Sequence, residues 1–182
     1  MPKIILISGK ARSGKDTFAM YFSAEAKIHG KRVLTIKYGD ILKFICKEYF
    51  DWDGIKDEKG RTLLQQIGTD LCRENNPDIW VNCVIEIVKG LQNQYDYVLI
   101  PDTRFPNEII KWWETEFDSV TIRINRVNKD DTEYDNGLSE EQRNHPSETS
   151  LDEWLFEYQV KNRNILDLQI ATQEIFKKTE EW

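Results

Sequence analysis

Apolar residues run unbroken through "KIILIS" (3–8), are largely β-branched and stop at Gly9, which predicts a buried strand. From Lys15 the pattern changes to helical spacing and ends before Gly30, where a glycine commonly closes a helix, so 15–29 reads as a helix. "KRVLTIKY" (31–38) is a second strand, closed by Gly39-Asp40. Three helical patterns follow with no strand between them, at about 40–50, 60–75 and 78–93. "YDYVLI" (95–100) is the third strand, "PNEIIKWWETEF" (106–117) a helix begun by Pro106, and "SVTIRINR" (119–126) the fourth strand. The stretch "VNKDDTEYDNGLSEEQRN" (127–144) is polar almost throughout and has no period, as in a lid or a disordered loop. Ser150 and Glu153 have capping-box spacing, and a short strand (157–162) and a last helix complete the chain.

Strands alternating with helices predict an α/β fold, a parallel sheet of about five strands covered on both faces. The chain reads as one domain over 1–182, with a helical insert at about 40–93 and the lid at about 127–144. Composition narrows the function. The net charge of −7 excludes a general nucleic-acid binder, whose footprint would be basic. No apolar run approaches the roughly 18 residues a membrane span needs. The three cysteines, Cys46, Cys72 and Cys83, have no metal-ligand spacing and suit a reducing compartment. The expectation is a cytoplasmic protein, monomer or homodimer, with small-molecule partners, no nucleic acid and no membrane.

The candidate chemistry lies in "GKARSGKDT" (9–17), between the first strand and the first helix. It approaches G-x-x-x-x-G-K-[ST], the phosphate-cradling loop, in the context that loop requires. Gly9 and Gly14 permit close backbone approach. The amides of Lys10, Ala11, Arg12, Ser13, Gly14 and Lys15 would face anionic oxygens, and Lys15 would reach the β- and γ-phosphates. Asp16 departs from the pattern, standing where Ser or Thr belongs; Thr17 follows. Either could meet Mg²⁺ beside ATP.

"GKARSGKDT" resembles the loop of the phage-type deoxynucleoside monophosphate kinases, which typically read "GKxxSGKDT". The resemblance continues through "GRTLLQQIGTDLCRENNPDIW", "DTRFPNE", "HPSE" and "QVKNRNILDL", nearly the whole chain. The animal-type phosphomevalonate kinases share the loop and the "DTR" motif more distantly. The first resemblance implies a P-loop NTPase fold of nucleoside monophosphate kinase type, with ATP and Mg²⁺, passing the γ-phosphate of ATP to a deoxynucleoside monophosphate. A phosphomevalonate-type kinase is the alternative. So is a regulatory protein that binds ATP without transferring phosphate.

Transfer between two anions calls for cations on both phosphates. Lys43, Arg61 and Arg73 are the acceptor-side candidates, and Arg61 and Arg73, twelve apart, are expected close to one helical face. Arg12, Arg104 and Arg126 are the candidates for the reacting phosphates, and Arg143 also flanks the lid. Asp102, ending the third strand, is placed to organise metal or substrate, although Pro101 before it also reads as a turn. Trp80 either lines the acceptor pocket or packs in the core. Glu108 either holds Arg104 or is an exposed first-turn acid. Asn162 resembles a family position near the adenine. Arg123, alternating with Ile122 and Ile124, reads as strand decoration.

Overall fold

The computed structural model describes residues 1–55 and 57–181. Five parallel strands form one sheet in the order β2-β3-β1-β4-β5: β1 (Lys3–Ser8), β2 (Val33–Thr35), β3 (Tyr97–Thr103), β4 (Ser119–Arg126) and β5 (Tyr158–Asn162). Period-two alternation along β1 divides the core. Ile5 and Ile7 face α1 (Lys15–Ile28) and α8 (Ile165–Glu180), meeting Phe18, Phe22, Leu168 and Phe176. Ile4 and Leu6 face the opposite layer, where α2 (Tyr38–Tyr49), α4 (Ile79–Leu91) and α5 (Asn107–Trp113) contribute Tyr38, Val81, Val84, Val88, Ile109 and Trp112. With both faces covered, β1 is apolar without interruption, as the sequence pattern requires. Trp112 is fully buried and its neighbour Trp113 half-exposed.

The second strand is shorter than its sequence suggests, because Tyr38 already opens α2. The third is longer. β3 continues through Pro101, and its register against β1 slips between Leu6 and Ser8, so that Ile100 and Thr103 pair across only two positions of β1. Proline has no N–H for the ladder, and a bulge accommodates it inside the sheet. Asp102 sits on that bulge.

In the insert, α3 (Glu58–Gln65) runs on as a π-helical segment over Gln66–Arg73. The 127–144 stretch is not structureless. Val127 and Glu133 form an antiparallel bridge, and α6 (Glu140–Asn144) starts at a capping box of Ser139 and Gln142. The box expected at Ser150 and Glu153 does not form, since Leu151–Glu153 is a turn following α7 (Pro146–Thr149). Among the described residues no helix is long and apolar enough to cross a membrane.

Candidate active site

β1 is the central strand, and the loop it feeds opens at the carboxyl edge of the sheet, where ligands bind in open α/β sheets. Gly9 (φ 149°) and Gly14 (φ 101°) take backbone conformations that other residues avoid. Close approach forbids a side chain at either: a Cβ on Gly9 would lie 2.4 Å from Ile124 O, and one on Gly14 2.6 Å from Asn162 Nδ2. Arg12 also adopts a left-handed backbone (φ 60°), which a non-glycine residue holds at a cost of about 1 kcal/mol.

The first intrahelical bond of α1 runs from Phe18 N–H to Gly14 O, and no side chain caps the helix. The amides of Lys15, Asp16 and Thr17 therefore have no intrahelical partner and point toward the loop with the positive end of the helix dipole. Ser13 Oγ is buried without a hydrogen-bond partner. Lys15 is buried, and Nζ donates to the carbonyls of Gly9 and Lys10, each at 2.7 Å. Burial first, then the nearby Arg104 charge, lower the Lys15 pKa from 10.5 to about 8. A cradle of unpaired N–H groups, an orphan buried hydroxyl and a desolvated ammonium together fit a polyanion.

Asn162 lies next to the loop. It is buried beneath the loop, where Nδ2 donates to Ser13 O at 2.8 Å and braces the turn. For the metal, Mg²⁺ needs only one or two protein oxygens when phosphates and water supply the rest. No cluster of three or more acidic, histidine or cysteine ligands exists among the described residues. Thr17 lies in the first turn of α1, and Asp16 is exposed beside it, paired with Lys37 at 2.5 Å; both fit such a partial shell. The two oxygens of Asp102 accept the N–H groups of Tyr38 (3.1 Å) and Gly39 (2.9 Å), capping α2 from the neighbouring strand. Burial raises its pKa.

Arg104 follows, half-buried, and donates from Nη1 to Ser147 O at 2.9 Å and to Glu148 Oε1. The other oxygen of Glu148 accepts Ala11 N–H at 2.7 Å, so this acid links α7 to the loop. Asp152 plays a similar part, pairing with Lys10 at 3.2 Å and Arg123 at 2.6 Å. Arg123 is no surface decoration: it is buried and also donates to Ser8 Oγ at 3.0 Å. Its side chain points opposite to those of Ile122 and Ile124, into a polar pocket that alternation alone could not distinguish from solvent.

Arg126, just before the 127–144 segment, reaches this loop, and Arg12 of the loop reaches back to that segment. Arg12 Nη1 donates to Asn136 O at 2.9 Å, and Arg126 Nη1 donates to Arg12 O at 3.2 Å. The Arg126 guanidinium lies 4.0 Å from the centre of the Tyr134 ring. Arg143 is turned to Asp135 at 2.8 Å. Between the loop and the 127–144 segment lies a cleft of about 570 Å³, lined by Lys10, Ala11, Ser13, Arg126, Tyr134 and Arg143 among others.

The acceptor-side candidates separate. Arg73 turns inward, 2.6 Å from buried Glu108 and 4.3 Å over the Phe105 ring. Arg61, on α3, is exposed. Twelve positions on a regular α-helix lie about a third of a turn apart rather than in line, and here only Arg73 turns inward, so the two do not present one face. Lys43 pairs with Asp40 at 2.6 Å. Trp80 packs in the core, and its indole N–H donates to Gly68 O at 3.0 Å. Glu108 does hold Arg104, but by its main chain: Oε2 accepts the N–H groups of Arg104 (2.6 Å) and Phe105 (3.1 Å).

No protein-family model and no curated protein matches this sequence. Solved structures do match in shape. A cysteine-to-alanine mutant of the Mycobacterium tuberculosis APS kinase CysC aligns with a TM-score of 0.53 and 11% identity, covering 98% of this chain and 97% of that one. The same kinase in complex with AMPPNP and APS aligns with a TM-score of 0.54 and 11% identity, over 98% of each chain. Sheet order, loop and covered faces place this chain in the phosphate-loop kinase fold.

Proposed function

We propose that the protein transfers the γ-phosphate of ATP to a deoxynucleoside monophosphate, giving ADP and a deoxynucleoside diphosphate. The observation that carries this reading is the convergence of Lys15, Arg12, Arg104 and Arg126 around one loop, with Arg73 held nearby against the Arg104 turn. Phosphoryl transfer is catalysed mainly by positioning and by charge on the oxygens in flight, and an acceptor phosphate is already ionised. No general base is needed. The sequence motifs shared with the deoxynucleoside monophosphate kinases, and the kinase fold of the structural neighbours, support the same conclusion.

In this reading the free amides at the start of α1 hold the inner phosphates of ATP, and Lys15 reaches the transferring group. Mg²⁺, held by Thr17 and Asp16, would neutralise phosphate charge when bound. Arg104 stands between the loop and the acceptor side and bears on both phosphates. Arg73 and Lys43 serve the acceptor, with Arg61 at the exposed rim. Arg12, Arg126 and Arg143 close the lid side over the donor. The test is an ADP-release screen over the common deoxynucleoside and nucleoside monophosphates together with mevalonate 5-phosphate. Turnover of at least one deoxynucleoside monophosphate is expected. Turnover of mevalonate 5-phosphate alone would overturn the acceptor assignment and leave the kinase assignment standing.

A further inference from the structure

Glu148 stands against the phosphate loop as an anion. Its side chain is only 7% exposed, Oε2 takes the Ala11 N–H at 2.7 Å, and Oε1 pairs with Arg104. A loop amide and an arginine are the donors expected for a phosphate oxygen. α7 delivers both the acid and Ser147 O to the same guanidinium, so the contact pins the lid side to the loop in two places.

The surrounding cations are compensated in a similar way. Asp152 serves Lys10 and Arg123, Asp135 serves Arg143, and Asp16 serves Lys37. Glu148 differs because it is the buried acid whose carboxylate reaches the main chain of the loop itself. A carboxylate and a phosphate oxygen cannot share Arg104 and the Ala11 amide at close range without strong like-charge repulsion.

We propose that Glu148 is an internal stand-in for a ligand phosphate. It satisfies Arg104 and Ala11 in the ligand-free protein, and an entering polyphosphate displaces it and takes over both donors. The charge on Arg104 thus passes from Glu148 to the ligand, and the pin between α7 and the loop opens at the same moment. Glu148 thereby weakens polyphosphate binding by the free energy of its own contacts. This inference rests on the reading of the loop as a polyphosphate site.

Glu148→Gln keeps the shape and an acceptor for Ala11 N–H while removing the charge. Calorimetric titration with a non-hydrolysable ATP analogue and with inorganic triphosphate should show binding about tenfold tighter in Glu148→Gln than in wild type. Inorganic triphosphate isolates the phosphates from the base and sugar. Glu148→Ala should also bind both ligands more tightly, whatever its own melting temperature. Equal or weaker binding by folded Glu148→Gln, with wild type binding normally, overturns the stand-in and leaves the proposed function untouched. Failure of wild type to bind either ligand overturns both.

Discussion

The phosphate loop and the helical insert are held in different ways. The loop hangs from β1 in the middle of the sheet, with Asn162 beneath it, Lys15 folded across its carbonyls and Glu148 and Asp152 gripping its outer side. The insert lays α4 on the sheet but builds its outer part on a small separate core, Cys46, Trp52 and Ile67. It leaves Phe44, Tyr49 and Leu71 largely exposed. Its Arg73 is fixed from outside, by Glu108 on α5. The loop is thus anchored in the middle of the sheet, whereas Arg73 of the insert is held by one buried ion pair.

Breaking that ion pair should have the largest effect. Glu108→Ala leaves Arg73 without its buried partner and frees the N–H groups of Arg104 and Phe105; a loss of about 3–5 kcal/mol is expected in chemical denaturation. Glu108→Gln retains the backbone contacts and should lose less, while raising KM for the acceptor more than KM for ATP. Equal changes in both KM values would show that the insert and the loop are not separate units.

The reverse experiment acts on the loop. Lys15→Met should fold normally, keep acceptor binding and lower kcat by about a hundred- to a thousandfold, since this cation acts mainly on charge developing in the transition state. Near-normal turnover in a folded variant would contradict the assignment.

How far these partners could be read from sequence differs by region. The strand–loop–helix unit was legible because its signals are local: an apolar run, two glycines, a lysine and a helical period within a few residues. The order of strands and helices, and hence the α/β class, followed in the same way. Partners far apart in the chain were not legible. Asn162 braces Ser13 across 149 positions, and Glu148 reaches Ala11 across 137. Only the sheet brings them together. Periodicity also failed wherever the backbone departs from its regular form. The bulge at Pro101 turned Asp102 onto the α2 amides.

The smallest expected effect is a proton count. In the ligand-free protein Lys15 has its pKa lowered to about 8, so above that pH it is mostly neutral. The sign follows: the folded state resists protonating this lysine, so its unfavourable contribution to stability is complete below about 8 and fades as pH rises toward the ordinary 10.5. A bound polyphosphate favours the charged form. Titration at about pH 8.5 should therefore show proton uptake, seen as a binding heat that changes with the ionisation enthalpy of the buffer, and Lys15→Met should abolish it. At about pH 6.5 the contribution from Lys15 should vanish. Uptake that is the same in Lys15→Met would place the titrating group elsewhere.

The most direct test of donor and acceptor acting as one site is the stoichiometry of transfer. ATP and a deoxynucleoside monophosphate that turns over in the screen are incubated with the wild-type protein, and ADP and deoxynucleoside diphosphate are quantified together. ADP should appear in equal amount with phosphorylated acceptor, and almost none should form when the acceptor is left out. ADP release at the same rate with and without acceptor, and no diphosphate product, would contradict phosphoryl transfer and leave a nucleotide-hydrolysing switch in its place.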